Sequence, residues 1–312
     1  MNKKQFTSNL LLVLVALIWG TAFVFQAMGG DSMSAYAFNA LRSLAAGIAL
    51  LPVIAISAAK RGTGSEERPK TDAKSRRTLI IGGVIVGTVL AVASALQQLG
   101  INDTTVGKAG FITALYIVFV PICGIFQKRK LHFTIWISVL LGVIGLYFLC
   151  MKGGFSLQKG DALVLLCAFG YTAHILVIDH FSPKVDGVKM SCIQFFVCSA
   201  LSAVFMLIDG DIPSWQDIAD AIIPILYTGV MSSGVGYTLQ IIAQKNTAPA
   251  VASLLMSLES VFAALAGWVI LKETFTGREL AGCAIMFGAI VLAQLPDLIA
   301  AAKAKKTNGK KA

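Results

Sequence analysis

Ten apolar stretches, each long enough to cross a lipid bilayer as a helix, recur along this chain and constrain its fold more than any other feature. They lie at residues 10–28, 34–59, 78–101, 105–127, 133–151, 160–179, 189–208, 218–243, 247–271 and 279–300. A helix needs about 20 apolar residues to cross the roughly 30 Å hydrocarbon core of a bilayer. The pattern therefore predicts an all-α, polytopic membrane protein with ten transmembrane helices.

The composition excludes the other broad classes of protein. Of the 312 residues, 56% are hydrophobic and only 13% are charged, whereas a soluble domain carries about a quarter charged residues. A water-soluble globule could not cover its surface with so few charges, and so apolar a chain is not disordered. The six cysteines lie within the apolar stretches without metal-ligand spacing. We therefore expect buried thiols rather than a metal site.

The lysines and arginines predict the orientation of the chain in the membrane. With the N-terminus inside, 20 of the 26 lie on the inner side and four in the outer loops. Because cytoplasmic loops are enriched in these residues, the bias predicts an N-in/C-in topology in the plasma membrane, with residues 301–312 as a basic cytoplasmic tail. It also accounts for the net charge of +10, so no nucleic-acid partner is expected.

The chain also repeats itself at a shift of 143 residues. This shift aligns several residues in order, among them Gln97 with Gln240, Thr104 with Thr247, Val118 with Val261 and Gly145 with Gly288. A shift of about 152 aligns Arg42 with Gln194. We therefore expect two five-helix repeats, residues 1–152 and 153–300. After five crossings the second copy starts on the opposite side, so the repeats are inverted, as is typical of secondary transporters with a midplane site.

Glycines are concentrated in helices three and eight, which correspond in the two halves. They are Gly82, Gly83, Gly87, Gly229, Gly234 and Gly236. Paired, glycine-interrupted helices mark substrate sites in transporters of this architecture, but small residues also permit close helix packing. Both interpretations remain open. Pro224 and the nearby glycines further suggest that helix eight is broken or re-entrant.

Glu259 is the only carboxylate near the centre of any apolar stretch. A charge at that depth costs roughly 2.5–3.5 kcal/mol on the insertion scale, so the carboxyl group is either protonated or faces water or a cation. A group that changes between these states suits proton coupling or binding of a cationic substrate. A permanently protonated, structural glutamate is the alternative. The counterpart of Glu259 in the first repeat is Tyr116, a neutral hydroxyl.

Further candidates for a substrate site are charged, polar and aromatic side chains at comparable depth. Arg42 stays charged and therefore needs a partner, which could be a substrate carboxylate, Glu259 or the outer headgroups. The others are Gln97, Gln240, Tyr116, Tyr171, His174 and Tyr237. The alternative is the joining of helices for the two glutamines, a structural hydrogen bond for His174 and the lipid-side aromatic belt for Tyr237. His174 is also a second candidate for proton transfer, because histidine titrates near neutral pH.

Four segments resemble helices of one protein family, in the right order. Residues 16–24, 40–45, 111–121 and 257–273 resemble the first, second, fourth and ninth helices of EamA-type members of the drug/metabolite transporter superfamily. Ser260 stands where that family often has a proline, so the resemblance does not by itself imply a kink there. The resemblance covers essentially the whole chain. It implies ten helices in two inverted repeats and transport, usually export, of small metabolites or drugs.

The resulting hypothesis is a secondary transporter that exports amino acids, related metabolites or drugs by alternating access, with protons as the candidate coupling ion. An uptake permease or facilitator without ion coupling is one alternative, and an intramembrane lipid-modifying enzyme is a more distant one. The chain has no nucleotide-binding loop or other catalytic motif, so we predict neither an enzyme nor a cofactor. The expected partners are a small-molecule substrate and the lipid bilayer, and the oligomeric state stays open.

Overall fold

The computed structural model describes residues 3–62, 73–104, 106–129, 131–151, 158–270 and 276–308. Ten helical spans long and apolar enough to cross a membrane lie within these residues. This confirms the predicted all-α, multi-pass architecture. The spans, numbered 1 to 10 below, are Lys3–Ser32, Ala35–Ala59, Ala73–Asn102, Ala109–Phe126, Phe133–Cys150, Lys159–Lys184, Gly187–Asp209, Ile222–Gln244, Pro249–Ala266 and Gly277–Pro296.

Fourteen α-helices form these spans and their connections in the described residues. They are α1 (Lys3–Ser32), α2 (Ala35–Gly62), α3 (Ala73–Asn102), α4 (Val106–Thr113), α5 (Tyr116–Phe126), α6 (Phe133–Cys150), α7 (Lys159–Phe181), α8 (Gly187–Asp209), α9 (Trp215–Asp220), α10 (Ile222–Leu226), α11 (Thr238–Gln244), α12 (Pro249–Met256), α13 (Glu259–Ile270) and α14 (Gly277–Asn308). A π-helix, Tyr227–Tyr237, joins α10 to α11. Span 8 is therefore continuous rather than broken or re-entrant, because the wide π-turn accommodates its irregular sequence.

Local sequence signals mark both ends of α8, which is span 7, and the start of α9, which follows it. The Asp186 carboxylate accepts hydrogen bonds from two backbone N–H groups at the start of α8, and Gly210 ends that helix with a φ of 75°. Ser214 and Asp217 form a capping box at the start of α9. Hydrogen bonds from the Ser214 backbone and side chain lower the pKa of the Asp217 carboxyl group below its usual value.

Large apolar side chains cover the outside of the helical bundle. Ile56, Phe126, Phe133, Leu140 and Phe287 are among the exposed ones. Glutamine, serine and threonine side chains are instead buried between the helices. Since a lipid-facing surface must be apolar and polar groups must find partners inside the protein, this distribution is that of a membrane-embedded bundle.

The spans pack in the same pattern in the two halves of the chain. Span 3 packs on spans 6 and 7, and span 8 packs on spans 1 and 2. Span 2 packs on span 7, and span 5 packs on span 10. Two glycines bring spans 5 and 10 together: a Cβ atom added to Gly145 would lie 2.9 Å from the carbonyl oxygen of Gly282, and one added to Gly282 would lie 2.7 Å from that of Gly145.

Spans 4 and 9 are interrupted at corresponding positions. The turns lie at residues 114–115 and 257–258, which are 143 residues apart. In each, the second turn residue donates its backbone N–H to the carbonyl three residues earlier, at 3.1 Å in span 4 and 3.3 Å in span 9. Tyr116 and Glu259 are the first residues of the helices that follow. The break in span 9 therefore forms without a proline at position 260.

A pair of hydrogen bonds also recurs in the two halves. The Thr104 hydroxyl donates to Asp161, joining the connection between spans 3 and 4 to the start of span 6. The Thr247 hydroxyl donates to Asn9 at 3.0 Å, joining the connection between spans 8 and 9 to span 1. The threonines are 143 residues apart and their partners 152 apart, the two shifts that aligned the sequence with itself.

Some of the sequence predictions fall beyond the described residues. The predicted junction between the repeats, at residues 152 and 153, and most of the basic loop 60–77 are outside them. The predicted tail 301–312 begins as a continuation of α14, which is helical to Asn308. The N-in/C-in orientation stays a prediction.

Candidate functional site

A cavity lies between spans 1, 2, 3, 4, 6, 8 and 9. Its described lining residues are Trp19, Phe23, Gln26, Arg42, Gln97, Thr113, Tyr116, Tyr171, His174, Ile175, Ser232, Ser233, Tyr237, Gln240, Met256 and Glu259. The mixture of aromatic and polar groups is that of a small-molecule site.

All eight residues that the sequence singled out line this one cavity. They come from six different spans, and the tertiary structure brings them together. Their roles in binding or coupling remain predictions. Helix packing was the competing interpretation for the two glutamines, which line the cavity.

Glu259 meets its repeat counterpart at the cavity. The Tyr116 hydroxyl donates a hydrogen bond to the Glu259 Oε1 atom at 2.9 Å, and both side chains are buried. Gly20 of span 1 allows this close packing, because a Cβ atom there would lie 2.6 Å from the Glu259 carbonyl oxygen. The carboxyl group thus lies at a helix break with one described hydrogen-bond donor.

Arg42 does not contact Glu259. Its Nη1 group donates to the Gln26 Oε1 atom at 2.8 Å, and its guanidinium carbon lies 5.5 Å from the centre of the Phe38 ring. No carboxylate forms an ion pair with Arg42 within the described chain. The arginine is buried rather than extended toward the outer headgroups, so its charge faces the cavity with a neutral partner.

Hydrogen bonds join spans 3, 4, 6 and 7 on one side of the cavity. The Tyr171 hydroxyl donates to the Gln97 Oε1 atom at 2.9 Å, and the Gln97 Nε2 group donates to the Thr113 hydroxyl at 3.4 Å. His174 lies 3.3 Å from the Gln194 Oε1 atom through its Nε2 atom. Gln97 therefore both joins helices and faces the cavity, the two roles that the sequence left open.

Aromatic rings form the wall next to span 8. The ring of Tyr237 lies 4.6 Å from that of Trp19 and 5.5 Å from that of His174, measured between centres. The Trp19 indole donates to the Ser232 carbonyl oxygen at 3.1 Å. Gly236 makes room for the indole, because a Cβ atom there would lie 2.7 Å from its nitrogen. Trp19 also lines the cavity.

Several lining residues were not anticipated as site residues from the sequence, notably Gln26, Thr113, Ser232 and Ser233. A signal existed for Gln26, which is the last polar side chain before the end of the first apolar stretch. Thr113 and the serines carried none, because short hydroxyl side chains are common within membrane helices.

Within the described residues no three metal-ligating side chains converge.

The family comparison decides what kind of protein carries this cavity. The profile of the EamA-like transporter family matches residues 6–151 and again residues 158–295. The chain belongs to the EamA-like transporter family. An EamA-like chain is a multi-pass membrane transporter of small molecules rather than an enzyme, which confirms the family that the four sequence segments indicated.

Individual relatives agree with this assignment. An uncharacterized transporter of Archaeoglobus fulgidus is 30% identical over 298 residues, which are 94% of this chain and 87% of the relative. The threonine/homoserine exporter RhtA of Salmonella typhimurium is 29% identical over 169 residues, 52% of this chain and 55% of that protein. A solved crystal structure covers 93% of this chain with a TM-score of 0.74 at 18% identity, a likeness of fold alone.

Proposed function

We propose that this EamA-like chain is a secondary transporter that exports small zwitterionic metabolites, amino acids or close relatives, across the plasma membrane. One observation carries the proposal. Among the described lining residues of the cavity, Arg42 is the only arginine or lysine and Glu259 the only aspartate or glutamate. They are 7% and 5% exposed, and they do not neutralise each other by direct contact.

The unused hydrogen-bonding positions of Arg42 and Glu259 match the carboxylate and the ammonium group of an amino acid. One guanidinium nitrogen of Arg42 donates to Gln26, and the remaining donors form the fork that binds a carboxylate. The Glu259 Oε1 atom accepts from Tyr116, whereas the second oxygen has no partner among the described residues and is available to an ammonium group. A bound zwitterion would therefore neutralise both buried charges, which are costly without a partner.

The same carboxylate provides a route to proton coupling. The second oxygen of Glu259 accommodates a proton or the ammonium group of a substrate, but not both together. Binding of substrate from the inside therefore displaces a proton, and proton binding from the outside displaces the substrate. A transporter that exchanges the two ligands in this way exports substrate at the expense of an inward proton gradient.

The symmetry of the cavity supports alternating access by two inverted repeats. Three pairs of its lining residues are separated by the 143-residue shift: Gln97 and Gln240, Thr113 and Met256, Tyr116 and Glu259. A cavity lined by equivalent positions lies where the two halves meet. Exchange of the conformations of the halves would then open the same site to either side.

The relatives support the substrate class and the direction. One is named as an exporter of two hydroxylated amino acids, threonine and homoserine. The excess of Lys and Arg in the predicted inner segments supports the N-in/C-in orientation in the plasma membrane.

An efflux assay tests the proposal. Cells that express the wild-type protein, Glu259→Gln or Asp220→Asn are loaded with an amino-acid panel that includes threonine and homoserine, and efflux is measured with and without a protonophore. Asp220→Asn is the control, because this acid is exposed on α9 and remote from the cavity. We expect efflux by the wild type and the control, and loss of it in Glu259→Gln and after protonophore treatment.

Efflux that survives both treatments would contradict proton coupling through Glu259. It would favour the facilitator alternative, with Glu259 as a neutral structural group. Absence of efflux of every amino acid by the wild-type protein would contradict the substrate class.

A further inference from the structure

Spans 3 and 8 correspond in the two halves, and a glycine fixes the same register in each. A Cβ atom on Gly87 of span 3 would lie 2.6 Å from the Gln194 carbonyl oxygen in span 7. It would lie 2.8 Å from the Cβ atom of the residue three positions after Gln194. A Cβ atom on Gly229 of span 8 would likewise lie 2.7 Å from the Arg42 carbonyl oxygen in span 2. It would lie 2.8 Å from the Cβ atom of the residue three positions after Arg42. Arg42 precedes Gln194 by 152 residues, so the two glycines occupy corresponding positions.

Span 8 contains one residue more than span 3 between this glycine and the glutamine that lines the cavity. Gln97 follows Gly87 by ten positions, whereas Gln240 follows Gly229 by eleven. Both glutamines line the cavity, so their orientations correspond despite the different spacing. The π-helix Tyr227–Tyr237 covers most of this interval in span 8. Because a π-turn absorbs one extra residue within an α-helix, it keeps both ends of span 8 in register.

The wide turn leaves two serine hydroxyls at the cavity without partners. Ser232 and Ser233 are 6% and 5% exposed and line the cavity, and neither hydroxyl forms a hydrogen bond within the described chain. On the same helix, the Thr228 hydroxyl donates to the Pro224 carbonyl oxygen at 2.6 Å, which is the usual way for a buried hydroxyl to be satisfied in a helix.

Gln240 is a third group of span 8 at the cavity without a partner within the described chain. Its Oε1 atom is buried without a hydrogen-bond partner among the described residues. Its counterpart Gln97 is instead bonded by Tyr171 and Thr113. Unpaired buried polar groups are costly. Besides the free positions on the charged residues Arg42 and Glu259, span 8 therefore offers the cavity uncharged hydrogen-bonding groups that a bound ligand would complete.

We infer that Ser232, Ser233 and Gln240 form a subsite for an uncharged hydrogen-bonding group of the substrate, a hydroxyl or a carboxamide, and that the extra residue of span 8 builds it. The inference rests on the proposed function, since it places the side group of a substrate whose charged ends meet Arg42 and Glu259. A side group that both donates and accepts hydrogen bonds satisfies the serine hydroxyls and the glutamine oxygen together.

Efflux of threonine and valine tests the subsite, because the two amino acids have nearly the same shape and differ in one hydroxyl. We expect the wild-type protein to export threonine at least about tenfold faster than valine, given that a lost buried hydrogen bond leaves its partners unpaired. The double variant Ser232→Ala with Ser233→Ala should bring the ratio to within about twofold, with valine efflux retained.

The outcomes separate the subsite from the proposed function. A wild-type protein that exports threonine and valine equally, or a double variant that keeps the wild-type ratio, would overturn the subsite alone. A double variant that loses efflux of both amino acids to the same extent would overturn it too. Failure of the wild type to export any amino acid would overturn the proposed function and the subsite together.

Single-residue deletions test the role of the insertion. Met231 of span 8 and Val92 of span 3 are both lipid-facing, 41% and 52% exposed. Deletion of Met231 should close the π-turn into an α-helix, give a folded protein by size-exclusion chromatography, and reduce the threonine to valine ratio. Deletion of Val92, the control, should rotate one half of span 3 by about 100° against the other and prevent folding. A Met231 deletion that keeps the wild-type ratio, or fails to fold, would overturn the inference.

Discussion

Glu259 and Tyr116 occupy corresponding positions in the two halves and are hydrogen-bonded to each other across the cavity. Each begins a helix after a turn, so each side chain projects from a place where the span is interrupted. The pair places one ionisable group and one neutral donor at matching depth. The chemistry of the cavity is therefore asymmetric although the backbone around it is repeated.

Loss of the Tyr116 hydroxyl should destabilise the protein more than neutralisation of its partner does. Tyr116→Phe leaves the buried Glu259 without its described donor, which costs about 1–3 kcal/mol. Glu259→Gln keeps an acceptor for the tyrosine and should leave the stability nearly unchanged. Thermal denaturation in detergent, followed by the fraction that remains monodisperse, compares the two variants. An unaltered melting temperature for Tyr116→Phe would contradict this expectation.

At the scale of the helical element, glycines decide how closely the spans approach each other. Gly229 lets span 8 contact the backbone of span 2 at Arg42, and Gly20 lets span 1 contact the backbone of span 9 at Glu259. Both contacts lie beside a charged residue of the cavity. These glycines therefore position the two charges by packing, which is the interpretation that the sequence could not separate from direct participation in a site.

Gly229→Ala should disrupt this packing, whereas Gly288→Ala should not. The new methyl group at position 229 would lie 2.7 Å from a backbone oxygen, and overpacking of this kind costs about 1–3 kcal/mol. No heavy atom lies within 4 Å of a Cβ at position 288, so alanine there should be neutral or stabilising by about 0.5–1 kcal/mol. Melting temperatures of the purified variants measure the difference, and equal values for the two would contradict the close contact.

At the scale of the whole molecule, the contacts between spans recur when the halves are exchanged. Span 3 on spans 6 and 7 corresponds to span 8 on spans 1 and 2. The breaks in spans 4 and 9 and the two threonine bonds follow the same exchange. This internal correspondence accords with the proposed inverted repeats, and it places the predicted site where both halves contribute.

Accessibility of introduced cysteines tests the predicted orientation. Gln216 and Lys184 are exposed in connections at opposite ends of span 7. In a cysteine-free background, Gln216→Cys should react with a membrane-impermeant maleimide in intact cells, and Lys184→Cys should react only after the cells are opened. The reverse labelling pattern would show an N-out topology. Labelling of both residues in intact cells would contradict a single orientation.

Much of the architecture and half of the described lining residues of the candidate site could be predicted from the sequence. Ten spans follow from hydropathy, because each helix must satisfy its own backbone in lipid. Arg42 and Glu259 could be singled out because charges are rare at that depth, and the internal repeat connected Glu259 to Tyr116. The breaks in spans 4 and 9 could not be predicted, since neither turn contains a proline or a glycine. The hydroxyls of Ser232 and Ser233 gave no signal either, because their effect depends on the surroundings of span 8.

The number of spans, the repeat and the polar residues within the membrane could all be inferred from the amino-acid sequence, because each follows from local hydropathy and composition. Which of those residues meet depends on the fold. It joined Tyr116 to Glu259 and gave Arg42 the neutral partner Gln26. It also converted one extra residue into the π-turn of span 8. Contacts between spans depend on helix register and on where the backbones of two spans can approach each other closely, and no single span sets either of these.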